Sequence, residues 1–138
     1  MPFVLDASVA LAWHFDDESD PFADLVSERS AEDIAVVPPH WFAEVANGLL
    51  VGERRGRSAP DRVGQFLARL GTLELEVDDL APDEAFGRIL PLSRAHQLTF
   101  YGALYLEIAE RRGLELATLD MKLAAAARQV GVPTWSDA

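Results

Sequence analysis

The chain has 138 residues, no cysteine and a formal net charge of −11. Its length supports one domain, residues 1–138, with a real core, and the missing cysteines remove disulfides, thiolate zinc sites and cysteine nucleophiles together. So acidic a chain cannot hold nucleic acid by bulk attraction, because that binding grows from neutralised phosphates.

Residues 2 to 6 read as a buried strand, Phe3-Val4-Leu5, that runs straight into Asp6. No basic leader precedes it and no apolar run is long enough to span a bilayer, so a cytoplasmic protein with no membrane partner is expected. A helix is predicted from Ser8 to about Phe15, and a second from Pro21 to Ser30. Ile34 to Val37 is a short apolar strand stopped by Pro38-Pro39, and proline announces the helix that follows, from about His40 to Arg55. After the loop Gly56-Arg57-Ser58-Ala59-Pro60, helical spacing returns over Asp61 to Leu70, and Thr72 to Val77 alternates like a strand. Pro82 to Ala95 is helical with a break expected at Pro91. Tyr101 to Arg112 is strongly periodic and Gly113 caps it. A strand at 115 to 119 ends in a second acid, Asp120. A helix from Met121 to Val130 follows, and then a last short strand around Val132 to Trp135. Strands alternating with helices imply parallel pairing with helices on both faces.

In an open parallel sheet, ligands bind outside the carboxyl ends of the strands, so Asp6 and Asp120 can converge there. A hard cation such as Mg2+ wants such oxygens. Each acid also stands where a helix N-cap is expected, and capping uses one oxygen while leaving the other free. Glu44 falls about 60° from Trp41, at the edge of the apolar face of its helix. Gly48, one turn on, leaves space beside it. A carboxylate at a core margin is either a solvated boundary residue or a buried charge that needs a partner. Ser8 and Thr118 lie within two residues of Asp6 and Asp120, where their hydroxyls either orient a water or make local backbone hydrogen bonds.

The remaining polar residues carry less. His14, His40 and His96 are scattered without ligand spacing, which favours surface or packing roles. Trp13, Trp41 and Trp135 read as core or interface. Arg54, Arg55 and Arg57, and again Arg111 and Arg112, gather positive charge. Each cluster alone reads as a solvated helix end, though a basic rim beside an acidic cleft would suit a phosphodiester.

Phe3-Val4-Leu5-Asp6-Ala7-Ser8-Val9-Ala10-Leu11, Pro39-His40-Trp41-Phe42-Ala43-Glu44-Val45-Ala46-Asn47-Gly48-Leu49, Leu98-Thr99-Phe100-Tyr101-Gly102-Ala103-Leu104-Tyr105-Leu106 and Thr118-Leu119-Asp120 together resemble the PIN domain family. Within it the chain looks most like the VapC-type ribonuclease toxins of bacterial toxin-antitoxin pairs. The resemblance covers essentially the whole chain; each segment is weakly specific, and their order and spacing are strong. It implies a three-layer α/β/α fold with a central parallel sheet, an acidic cluster binding Mg2+ or Mn2+, and hydrolysis of RNA phosphodiesters. Asp6, Glu44 and Asp120 match three of the family's acids, with Asp6 and Asp120 as the metal pair. A homodimer and a cognate antitoxin that covers the cleft are implied as well.

One position departs from the pattern. The family's fourth acid follows the first tyrosine of that third segment, and Gly102 stands there instead. With Thr99 as N-cap, Gly102 occupies N3, where an acid favours the helix dipole, and glycine inside a helix costs roughly 1 kcal/mol relative to alanine. Close approach of another segment is one explanation. The other is an impaired copy, a single base from Asp, arising naturally or by selection against toxicity in cloning. Glu107 is about 140° around the helix and does not obviously replace the acid.

A catalytically silent PIN module that binds antitoxin or RNA is the alternative function. A phospho-accepting receiver would need an acidic pair after the first strand, where Ala7 follows Asp6. The same turn lacks the glycines of a Rossmann or P-loop site, and Ser8 lacks the flanking glycines and histidine partner of a serine hydrolase.

Overall fold

In chain order the first half holds β1 (Phe3–Leu5), α1 (Ala7–Ala12), a 3-10 turn at Asp16–Glu18, α2 (Pro21–Ser30), β2 (Ala35–Val37), α3 (Trp41–Arg54) and α4 (Pro60–Leu70). There follow β3 (Leu75–Val77), α5 (Pro82–Glu84), a π-helical stretch at Ala85–Ile89, α6 (Leu90–His96), α7 (Phe100–Arg112), β4 (Leu116–Ala117) and α8 (Met121–Gln129). This is a computed structural model, and it describes residues 1–135.

All three side chains of β1 and all three of β2 are fully buried. Successive strand side chains face opposite sides, so consecutive burial means that both faces of the sheet are covered, as in parallel α/β proteins. The strands pair only in parallel, in the order β3-β2-β1-β4. The chain walks from β1 to β3 in one direction and then returns past β1 to β4. Right-handed crossovers therefore put the helices before β3 and those after it on opposite faces. In agreement, α1 packs on α2 and α3, while α7 packs on α6 and α8. The expected α/β sandwich with a central parallel sheet is the observed fold.

Local signals explain most element ends. Pro21 opens α2 behind Asp20, whose carboxylate accepts the Phe22 N–H at 2.8 Å. Gly113, at φ 66°, closes α7. Several bounds differ from expectation: β3 begins at Leu75 rather than Thr72, and β4 spans only Leu116–Ala117 of the expected 115 to 119. Helix α1 stops at Ala12 rather than Phe15, and Trp13 turns away to donate its indole N–H to Ala23 O at 2.7 Å. The break assigned to Pro91 appears one turn earlier, as the π-helical stretch Ala85–Ile89. Proline lacks an N–H and its ring crowds the carbonyl four residues back, and a wider turn relieves both. The last strand shrinks to a single bridge between Leu116 and Thr134, because Pro133 accepts from Leu116 N but has no N–H to give.

Gly48 serves packing. A Cβ there would come within 2.7 Å of Leu11, and one at Gly52 would meet the Phe15 ring. The space expected beside Glu44 is thus filled by α1, which lies close on α3.

Candidate active site

The return of the chain creates a topological switch point. From β1 the chain turns toward β2, and from β4 it turns the other way, so the crevice opens at the carboxyl ends of these two neighbours. Leu5 pairs with Ala117, and the Asp6 N–H donates to Ala117 O at 3.0 Å. The next residues, Asp6 and Thr118, are thereby brought side by side.

Asp6 is 6% exposed. Its Oδ2 accepts from Thr118 Oγ1 at 2.6 Å and from Ser8 Oγ at 2.8 Å. Although Asp6 holds the N-cap position of α1, its side chain makes no cap bond. The first N–H of the helix, that of Ala7, instead donates to the Tyr105 hydroxyl at 3.3 Å. Burial pushes the Asp6 pKa up, the hydroxyls of Thr118 and Ser8 oppose the rise, and the charge of Glu44 adds to it.

Asp120 does cap its helix. Its Oδ1 accepts from the N–H groups of Lys122 at 3.0 Å and Leu123 at 3.2 Å. Oδ2 has no hydrogen-bond partner among the described residues. Thr118 ties the two aspartates together, because its Oγ1 also accepts the Asp120 N–H at 3.0 Å. Ser8 works in parallel, accepting the Leu119 N–H at 3.1 Å. Each hydroxyl has one proton and gives it to Asp6, so both orient the carboxylate and its neighbouring backbone.

Glu44 sits on α3, half-buried, and its Oε1 accepts from the Tyr105 hydroxyl at 2.7 Å. His40 Nε2 lies 2.6 Å from the same oxygen, off the line of a hydrogen bond, so that contact is one of charge when the imidazole is protonated. Burial pushes Glu44 up, but His40 and the Tyr105 hydroxyl outweigh it and hold the carboxyl below its usual value. The Tyr105 hydroxyl itself is pushed up by burial and by the charges of Asp6 and Glu44, and remains a donor. Sequence reasoning gave Tyr105 no role and His40 only a surface or packing one. The signals were there: a tyrosine on a buried helix face needs a partner for its hydroxyl, and His40 stands four residues before Glu44 on one helical face.

Gly102 is N3 of α7, and its N–H donates to Thr99 Oγ1 at 3.0 Å. A Cβ added there would lie 3.2 Å from that oxygen and 4.0 Å from Leu98 Cβ, with no third neighbour within 4 Å. Among the described residues no other chain segment requires a glycine at this point. Glu107 is 4% exposed and engaged by Arg88 at 2.9 Å and Arg111 at 2.7 Å, so it serves the fold. Arg111 and Arg112 also pair with Asp78, and Arg57 with Asp17 and Glu18. These three arginines are paired with carboxylates of the fold.

Among the described residues no group of three His, Cys, Asp or Glu is close enough to hold a metal ion. The donor set still fits Mg2+, which is commonly bound through one or two carboxylates, with water and substrate phosphate completing the shell. A carboxylate as buried as Asp6, with its pKa raised, gains from a cation. Beside Asp120 opens a cleft of ≈ 430 Å³, lined also by Thr118, Asp20, Phe22, Met121 and Arg128. No helix among the described residues is long and apolar enough to cross a membrane.

The PIN domain family model matches residues 3–129. Ribonuclease VapC3 of Pyrobaculum aerophilum is 32% identical over 130 residues, covering 90% of this chain and 93% of that protein. The crystal structure of PAE2754 from the same organism superposes with a TM-score of 0.70 at 26% identity, covering 99% of this chain and 85% of the other.

Proposed function

Since the chain belongs to the PIN domain family, we propose that it is a Mg2+-dependent endoribonuclease toxin of a toxin-antitoxin pair, impaired in this copy by Gly102. One observation carries the reading. A buried carboxylate, Asp6, is tied through a single hydroxyl to a second acid, Asp120, at the switch point of a parallel sheet. Its likeness to Ribonuclease VapC3 supplies the reaction class.

Asp6 and Asp120 would hold the ion. Bound there, Mg2+ or Mn2+ supplies positive charge that polarises a phosphoryl oxygen and acidifies a water. Thr118 and Ser8 keep Asp6 turned toward its neighbour, and Glu44, held ionised, is placed to accept a proton. A cognate antitoxin covering the cleft and a homodimer of the toxin complete the proposal. Loss of an acid weakens coordination without removing any packing, so antitoxin binding should survive in the Gly102 form.

Gly102 also favours a second reading, a silent module that binds antitoxin or RNA without cutting. The test is a paired assay of this chain and Gly102→Asp on structured RNA with Mg2+, Mn2+ and EDTA. Faster metal-dependent cleavage and tighter metal binding by the Asp form are expected, and Asp6→Ala should abolish what the Gly form retains. Equal rates for the two forms at one Mg2+ concentration would refute impairment. Cleavage indifferent to Asp6→Ala would expose a contaminant and leave the silent module.

A further inference from the structure

We infer that Tyr105 is the positioning residue for Glu44, occupying Oε1 so that the acid acts through Oε2; the inference rests on the nuclease reading. Tyr105 is 1% exposed in the middle of α7. Its hydroxyl gives its only proton to Glu44 Oε1 at 2.7 Å and accepts the Ala7 N–H at 3.3 Å. One oxygen thus spans the helix that carries Glu44 and the residue directly after Asp6.

Three observations separate positioning from simple structural satisfaction. The Ala7 N–H alone would be served by any acceptor, yet the proton is directed to the acid. His40 Nε2 approaches the same Oε1 at 2.6 Å, and its ring sits 5.3 Å from that of Tyr105 in edge geometry. Oε1 therefore has two polar neighbours, whereas Oε2 has no hydrogen-bond partner among the described residues. A phenol fixed by a buried ring is also a rigid donor, with only two side-chain torsions to restrain. Its raised pKa keeps it protonated wherever the enzyme would work.

The experiment uses the full chain carrying Gly102→Asp as parent and compares Tyr105→Phe, Glu44→Gln and the pair. Cleavage of structured RNA gives kcat and KM, and circular dichroism gives the folded fraction at the assay temperature. Tyr105→Phe should lower kcat by about 10-fold or more with KM within about 2-fold. In the Glu44→Gln background the same change should cost less than about 2-fold, because the acid that Tyr105 orients is already gone even though an amide oxygen can still accept its proton. Equal losses in both backgrounds, or unchanged activity per folded molecule, overturn the inference. A parent that shows no metal-dependent cleavage overturns the nuclease reading and takes the inference with it. A crystal structure of the Gly102→Asp parent soaked in Mn2+ provides a readout free of activity and of any Tyr105 or Glu44 variant that fails to fold. Oε1 on Tyr105 with Oε2 turned to the ion or its waters supports the inference, and Oε1 turned to the ion overturns it.

Discussion

The Thr118 hydroxyl donates to Asp6 Oδ2 at 2.6 Å across 112 positions of sequence. The same oxygen accepts the Asp120 N–H at 3.0 Å, so a residue 5% exposed holds both aspartates in one frame. Thr118→Val keeps the shape and removes donor and acceptor together. A hydrogen bond to a charged group is lost, and the expected cost is about 1–3 kcal/mol. Urea unfolding with EDTA present measures it, and a change within experimental error would mean that the hydroxyl is replaceable by water.

Asp6 links charge to stability. Its folded pKa is raised, so the folded state binds more protons than the unfolded chain between the two values. Stability from this group is therefore greatest at low pH and falls as pH rises through the folded value. Above that value and without metal, the ionised buried carboxylate weakens the fold. Asp6→Asn keeps an acceptor for Thr118 and Ser8 and removes the charge. Its melting temperature in EDTA should exceed that of the parent at pH 7, with the difference shrinking toward pH 4. A variant less stable than the parent at pH 7 would contradict the sign. Mg2+ should narrow the gap by stabilising the parent alone.

The fold was legible where a residue acts locally. Pro21 and Gly113 mark helix ends through fixed or left-handed backbone, and β1 and β2 read as strands because burial on both faces leaves unbroken apolar runs. The two strand-end acids were legible for the same reason. What escaped depends on register between distant elements. The Tyr105 to Glu44 bond spans 61 positions, and nothing near either residue encodes it. Capping illustrates the same limit: Asp6 and Asp120 look alike in sequence, but only Asp120 caps, because Thr118 and Ser8 claim Asp6. Gly48 read as room for Glu44, and only the packing of α1 reveals that Leu11 fills it.

Gly52 tests that packing away from the acids. A methyl group there collides with the ring of Phe15, which is 4% exposed and has little room to move. Gly52→Ala should destabilise by about 1–3 kcal/mol through overpacking, despite alanine's better helix propensity. Chemical denaturation measures the loss, and RNA cleavage per folded molecule should not change. A stabilised variant would show that the Phe15 segment after α1 and α3 separate freely.

At Gly102 two effects compete. Alanine recovers up to about 1 kcal/mol of helix propensity, against a Cβ placed 3.2 Å from Thr99 Oγ1, the oxygen that caps α7. A shift of a few tenths of an ångström in one exposed cap side chain is cheaper than the propensity gained, so Gly102→Ala should be more stable than the parent. Thermal melting checks this, and a lower melting temperature would mean that the cap bond is lost. Cleavage should rise only in Gly102→Asp, since alanine restores the helix without restoring an oxygen.

Asp120 performs two roles that one substitution can divide. Its cap uses the Oδ1 acceptor for Lys122 and Leu123, and asparagine caps about as well as aspartate. A metal site needs the charge as well as the oxygen. Asp120→Asn should therefore leave unfolding free energy within about 0.5 kcal/mol of the parent, whereas Asp120→Ala loses about 1 kcal/mol with the cap. Both should lose Mn2+ affinity, measured by calorimetry in the Gly102→Asp background, where binding is expected to be strongest. If Asp120→Asn binds Mn2+ as tightly as its parent, Asp120 is a cap alone and the ion, if any, belongs to Asp6 and other groups.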